Sequence, residues 1–183
     1  RLPVSVPAAE GAQPSTYLAS PLARASTVSN VDPTAAFPFG HGLGYSSFEW
    51  TARNASATSL SVDGEVAVSL TVTNTGARPG AEVVQLYLHD PVASVVRPVQ
   101  RLIGYARVEL DAGASATVSF AVPADLASFT SRDGGRIVEA GEIVLGFGRS
   151  SGDIVIENRV TLTGQTRVVD HTRRLHATTT VTP

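Results

Sequence analysis

The chain has 183 residues, 14 Lys+Arg against 16 Asp+Glu, a net charge of −2, 43% hydrophobic and 6% aromatic residues. That length suits one domain, or one domain plus a piece of another, and so even a charge balance argues against nucleic acid or a membrane surface as electrostatic partners. Without Cys, disulfides, thiol catalysis and Cys-ligated zinc are excluded, and no apolar run approaches the ~18 residues of a membrane helix.

Proline dominates the start. Pro3, Pro7, Pro14, Pro21, Pro33 and Pro38 crowd the first 38 residues, and a residue without an amide donor fits neither a helix bundle nor a central sheet. Leu2-Pro3-Val4-Ser5-Val6 alone has the β-branched character of a short strand. The rest reads as an extended segment with too few periodic apolar residues to fold alone, so it must lie against something else. From about residue 50 the texture changes to alternation. Val66, Val68, Leu70 and Val72 share one face of a strand, opposite Ala67, Ser69, Thr71 and Thr73. Asn74-Thr75-Gly76 supplies a turn, with Asn and Gly tolerating positive φ.

Val84, Leu86 and Leu88 mark a second strand and residues 102–110 a third, closed by Asp111-Ala112-Gly113. Ala116, Val118, Phe120 and Val122 give a fourth, ended by Pro123. Ile143, Leu145 and Phe147 form a fifth, followed by a hairpin turn, and residues 154–162 a sixth. A shorter strand near 56–60 or 136–138 makes seven. This pattern predicts an all-β, immunoglobulin- or fibronectin type III-like sandwich over about 51–163, preceded by an extended region at 1–50. The tail, 164–183, is expected to add an edge strand through Arg167-Val168-Val169 and then to fray at Thr178-Thr179-Thr180.

Little of this carries chemistry. Phe37-Pro38-Phe39-Gly40-His41-Gly42-Leu43-Gly44-Tyr45-Ser46-Ser47-Phe48 has no Gly-Lys-Ser/Thr and no strand–helix setting, so it is neither a phosphate loop nor a dinucleotide fingerprint. Its glycines permit sharp turns and close approach, and its aromatics supply anchors, which reads as a packed interdomain joint. Asp63 with Glu65, and Glu139 with Glu142, sit at strand ends where charge is solvated. His171 and His176, near Asp170, match no metal-ligand spacing. No Gly-x-Ser-x-Gly elbow exists. The residues alone display no catalytic apparatus and no set for a cofactor or metal.

The same segment resembles the Pro-Phe-Gly-His-Gly-Leu-Ser-Tyr-Thr-Thr-Phe stretch of glycoside hydrolase family 3, which contains β-glucosidases and β-xylosidases. Further parts resemble that family in order. Leu2-Pro3-Val4-Ser5-Val6-Pro7 looks like the strand closing its α/β sandwich domain. Val72-Thr73-Asn74-Thr75-Gly76 and Gly80-Ala81-Glu82-Val83-Val84-Gln85-Leu86-Tyr87 resemble the start of its fibronectin type III-like domain. Arg97-Pro98-Val99-Gln100-Arg101-Leu102-Ile103-Gly104-Tyr105 and Leu110-Asp111-Ala112-Gly113 match later parts. Gly44 departs from the family's usual Ser, and Ser46-Ser47 from its paired Thr.

The resemblance implies a retaining exo-β-glycosidase of three domains that needs no cofactor. An Asp nucleophile would lie on an N-terminal barrel, and the acid/base, usually a Glu, on the α/β sandwich domain. Neither is carried by these residues, so no catalytic residue is assigned. The expected division is a remnant of the α/β sandwich domain and interdomain joint at 1–50, the fibronectin-like domain at 51–163 and a tail at 164–183. Phe39, His41, Tyr45 and Arg97 are the expected joint residues, and Leu2, Val4, Val6, Phe37 and Phe39 are expected to be poorly buried. The partners implied are upstream catalytic domains of the same polypeptide and, through them, an oligo- or disaccharide substrate. The absence of Met, an initiator included, also suggests a fragment or processed product. The alternative is a freestanding carbohydrate-binding or adhesion module, which the single Trp and four Tyr would serve poorly as sugar platforms.

Overall fold

Alternating Val, Leu and Phe write two sheets into this sequence, and the computed structural model, which describes residues 1–10, 16–23, 25, 27 and 32–183, shows them packed face to face. In chain order the strands are β1 (Val6–Pro7), β2 (Ala35–Phe37), β3 (Phe48–Ala52), β4 (Ser59–Ser61), β5 (Glu65–Asn74), β6 (Gly80–His89) and β7 (Arg101–Leu110). There follow β8 (Ser115–Pro123), β9 (Phe129–Thr130), β10 (Arg136–Val138), β11 (Gly141–Ser150), β12 (Asp153–Thr163), β13 (Arg167–Val168) and β14 (Thr178–Thr182). One sheet has the order β4-β12-β11-β6-β7, the other β14-β8-β5-β3. Every pairing is antiparallel except β4 on β12. Small sheets of β13-β10-β9 and β1-β2 complete the pattern.

Inner faces follow the expected phase. Val66, Val68, Leu70 and Val72 of β5 are fully buried, as are Val118 and Phe120 of β8. Val84, Leu86, Leu145, Phe147 and Val160 face them from the other sheet. Phe120 and Phe147 meet across the core with ring centroids 5.9 Å apart. Each such side chain contributes about 1.5–3 kcal/mol on burial, enough for two sheets to hold without disulfides.

Three local expectations need correction. The turn after β5 does not use positive φ at Asn74, since positive φ occurs only at glycines among the described residues. Asn74 acts through its buried side chain instead. Its Nδ2 donates to the carbonyls of Arg78 (2.8 Å) and Leu110 (3.0 Å), and its Oδ1 accepts the Gly76 amide (3.0 Å), an Asx-type turn. By contrast, the turn at 111–113 does rely on a left-handed glycine, Gly113 at φ 77°. Both candidates for a seventh strand form, as β4 and β10. Trp50 offers no open face, as β3 pairs with β5 and places it in the core at 8% exposure. Finally, Thr178–Thr182 does not fray but pairs with β8 along five positions.

The amino-terminal strand is also shorter than its composition suggests. Only Val6–Pro7 pairs with β2. Leu2 nonetheless extends the ribbon. Its amide donates to His41 O (2.8 Å) and its carbonyl accepts from the Gly40 amide (2.8 Å). Pro14, among the prolines behind the expectation of an extended segment, lies outside the described residues.

Candidate docking surface

A sheet in a sandwich normally turns one face to water, yet β6 is buried on both sides from Val84 through Leu88. The outward side chains Gln85 and Tyr87 are 3% and 1% exposed because the amino-terminal segment lies over them. Tyr87 Oη donates to Gln85 Oε1 (2.7 Å). Burial first, and then the neighbouring Tyr17 hydroxyl, push the Tyr87 phenol well above its ordinary range, so it remains a proton donor. Gln85 Nε2 donates to Arg149 O (2.6 Å) and to Gly40 O (3.1 Å). The glutamine thereby ties the sheet to the segment above it with its polar atoms satisfied.

Gly40 is the residue this contact requires. Its φ is +79°, and a Cβ there would stand 2.0 Å from Gln85 Oε1. No side chain fits, so the glycine serves both the turn and the close approach. Around it the segment is pinned by the Ser151 amide donating to Phe39 O (2.8 Å) and the Phe39 amide donating to Ser5 Oγ (3.0 Å). The Phe39 ring stacks on Tyr17 at 4.2 Å, and Tyr17 meets Tyr87 edge-on at 6.2 Å. Val99 N donates to Ala19 O (2.9 Å), fixing the far side of the cover to the β6–β7 loop.

The expected joint residues take different places. Phe39 is half-buried in the aromatic stack. His41 is half-buried on the ribbon, its ring 5.2 Å from that of Phe37. Tyr45 is wholly solvent-exposed. Arg97 lies apart from this group, on the β6–β7 loop, ion-paired with Asp90 and stacked 4.9 Å over the Phe129 ring. Of the five residues expected to be poorly buried, Val4, Val6 and Phe37 are exposed, whereas Leu2 and Phe39 are half-covered by the ribbon and Tyr17. Val4, Phe37, Leu43 and Tyr45 leave an apolar surface on the segment, with Leu43 at 93% exposure.

Sequence reasoning missed Tyr17, Gln85, Tyr87 and Arg149. Arg149 caps the joint, donating to Phe48 O (3.2 Å) with its guanidinium 5.0 Å over the Trp50 ring. A signal was present: Val83-Val84-Gln85-Leu86-Tyr87-Leu88 and Ile143-Val144-Leu145-Gly146-Phe147 are near-continuous apolar runs, the mark of strands covered on both faces.

The paired carboxylates are engaged at the surface. Glu65 pairs with Arg174, Glu142 with Arg159, Asp63 accepts from Ser61 and Glu139 from Ser94. His171 and His176 are exposed on the tail. Among the described residues no three His, Asp or Glu side chains gather as a metal site would require, and no helix is long and apolar enough to cross a membrane.

Residues 82–151 match the fibronectin type III-like domain family. The chain is 38% identical over 154 residues to a β-xylosidase of Formosa agariphila, covering 82% of this chain and 21% of that protein. It is 43% identical over 119 residues to a β-glucosidase of Rhizobium radiobacter, covering 64% and 14% respectively. Among solved structures, the β-glucosidase of Listeria innocua in complex with glucose superimposes with a TM-score of 0.81 at 29% identity, covering 88% of this chain and 24% of that one. The chain spans about a fifth of the length of such relatives.

Proposed function

Because this chain belongs to glycoside hydrolase family 3, as the C-terminal part that carries the fibronectin type III-like domain, we propose that it is the scaffold portion of a retaining exo-β-glycosidase acting on terminal non-reducing β-D-glucosyl or β-D-xylosyl residues. The catalytic domains lie upstream in the same polypeptide and bring the oligo- or disaccharide substrate. There an Asp and an acid/base, usually a Glu, perform double displacement through a covalent glycosyl-enzyme, without a metal. Residues 1–50 are the end of the α/β sandwich domain with the joint, 51–163 the fibronectin-like domain, and 164–183 the tail that closes one sheet edge.

The observation that carries this reading is the segment over β6. It has two short strands and almost no core of its own, is held by Gly40 and Gln85, and turns Val4, Phe37, Leu43 and Tyr45 outward. Such a ribbon is the seam between the sandwich and a larger body. Arg97, on the other side of the cover, braces the loop that grips Ala19. A freestanding sugar-binding module is the weaker reading, since Trp50, its one indole platform, is in the core.

Two preparations test the proposal: the purified 183-residue chain, and a longer polypeptide carrying it behind the upstream domains. With an aryl β-glucoside and an aryl β-xyloside, the short chain is expected to show no turnover and the longer one to hydrolyse at least one. Turnover by the short chain that survives repurification would overturn the assignment.

A further inference from the structure

Three guanidinium groups, those of Arg97, Arg101 and Arg136, reach residues 126–129 at one end of the sandwich, and a fourth, Arg173, lies near enough for its charge to act on two of them. Arg101, opening β7, donates to Leu126 O. Arg136, opening β10, donates through Nη2 to Ser128 O (2.9 Å) and through Nε to Ser128 Oγ (3.2 Å). Arg97 lies over the Phe129 ring at 4.9 Å. Arg173 follows β13, which pairs with β10, and donates to Asp170 O (3.0 Å).

Only Asp90, paired with Arg97, neutralises a member of this group; among the described residues Arg101, Arg136 and Arg173 have no carboxylate within 4.0 Å. Neighbouring acids are engaged elsewhere. Asp125 is paired with Arg167 and accepts the Arg174 amide (2.8 Å), and Asp170 accepts the Thr172 amide (2.8 Å) and hydroxyl (2.6 Å). Such a concentration is not forced by composition, because acids outnumber bases in this chain. Its members also oppose one another: burial, then the charges of Arg97, Arg136 and Arg173, hold the Arg101 guanidinium below its ordinary range. An oxyanion bound among them would relieve that repulsion and take up N–H groups the protein leaves free, in the forked geometry guanidinium groups favour.

We infer that Arg97, Arg101, Arg136 and Arg173 form a binding site for the oxyanions of an acidic glycan, carboxylate or sulfate, separate from the docking surface. The choice of a glycan rests on the glycosidase reading above. On this view the sandwich holds a charged polysaccharide near the polypeptide that trims it.

The test uses the full 183-residue chain in affinity electrophoresis through gels containing polygalacturonate, dextran sulfate, neutral dextran or poly-glutamate. Arg136→Gln/Arg173→Gln is compared with Arg107→Gln/Arg159→Gln, which removes the same charge from exposed strand positions. Retention by polygalacturonate or dextran sulfate is expected, and whichever retains the chain identifies the anion. The cluster variant should lose about tenfold or more in affinity, with the control unchanged and thermal midpoints recorded for both. Arg173→Gln alone, whose guanidinium bonds only a carbonyl, keeps the test valid if the double variant misfolds. No retention by either acidic glycan, equal loss in the control, or equal retention by poly-glutamate overturns the site. Should the longer polypeptide still hydrolyse aryl glycosides in that event, the scaffold reading stands and this site alone falls.

Discussion

The two faces of the five-stranded sheet are buried by different chemistry. On the inner face β6 presents Val84, Leu86 and Leu88 to a second sheet of Val, Leu and Phe, and side-chain volume decides the fit. On the outer face Gln85 and Tyr87 meet a proline-rich ribbon held by backbone hydrogen bonds, one amide side chain and one aromatic stack. The inner contact makes one continuous apolar core between the two sheets. The outer contact makes a seam that is specific in geometry and modest in area.

Substitutions should separate these contacts, beginning in the inner core. Phe147→Ala removes a fully buried ring that bridges the sheets and should cost about 3–5 kcal/mol, read as a lower denaturant midpoint with an unchanged slope. Gln85→Ala strands the Tyr87 hydroxyl and frees the Gly40 carbonyl, an expected loss of about 1–3 kcal/mol. Unlike Phe147→Ala, it should also expose residues 38–41 to protease before the sandwich unfolds. A global loss without that local opening would show the ribbon is not held by Gln85. Gly40→Ala should act almost wholly on the ribbon, since its backbone is left-handed and its space is taken by Gln85. The segment is expected to lift at a cost of about 1–3 kcal/mol while the thermal midpoint of the sandwich barely moves.

A smaller, pH-dependent effect belongs to the tail. Burial opposes ionisation of Asp125, but the Arg167 guanidinium and the Arg174 amide outweigh it and hold its carboxyl below the ordinary range. A depressed folded pKa means stability is present at neutral pH and is lost as pH falls below about 4, through that lowered value. Asp125→Asn should therefore destabilise the chain at pH 7, and its midpoint should converge on the parent's on acidification. Parallel curves at both pH values would contradict the pairing. Tyr45→Ala should be the mildest change, within about 0.5 kcal/mol for the chain alone, because Tyr45 is wholly exposed. The same substitution should weaken association with the upstream domains.

Much of the inner face was legible from alternation, because period-2 burial leaves its trace in each strand. Residues 66–72 and 116–122 show it directly: the predicted inward side chains are the buried ones. The outer face was less legible. Its partners lie far apart in sequence, Gln85 with Gly40 and Arg149, and Phe39 with Tyr17. Nothing local in Gln85 distinguishes a solvated amide from a tie between layers. Only the unbroken apolar run around it hinted at cover. The depth of Trp50 is not legible locally, because an apolar ring suits a joint and a core equally and only the pairing of β3 with β5 decides between them. The Thr-rich end of the chain pairs rather than frays because the β-branched carbon of threonine suits an edge strand on β8.

The most direct test of the seam is amide hydrogen exchange on the 183-residue chain, free and within the longer polypeptide. Free, β5, β6, β8 and β11 should be strongly protected while the amides at 42–45, which lie outside any ladder, exchange fast. Within the longer polypeptide, 42–45 should become protected as a block and the sandwich strands should not change. No gain of protection at 42–45, or a gain confined to other parts of the sandwich, would contradict the assignment of this surface as the docking seam.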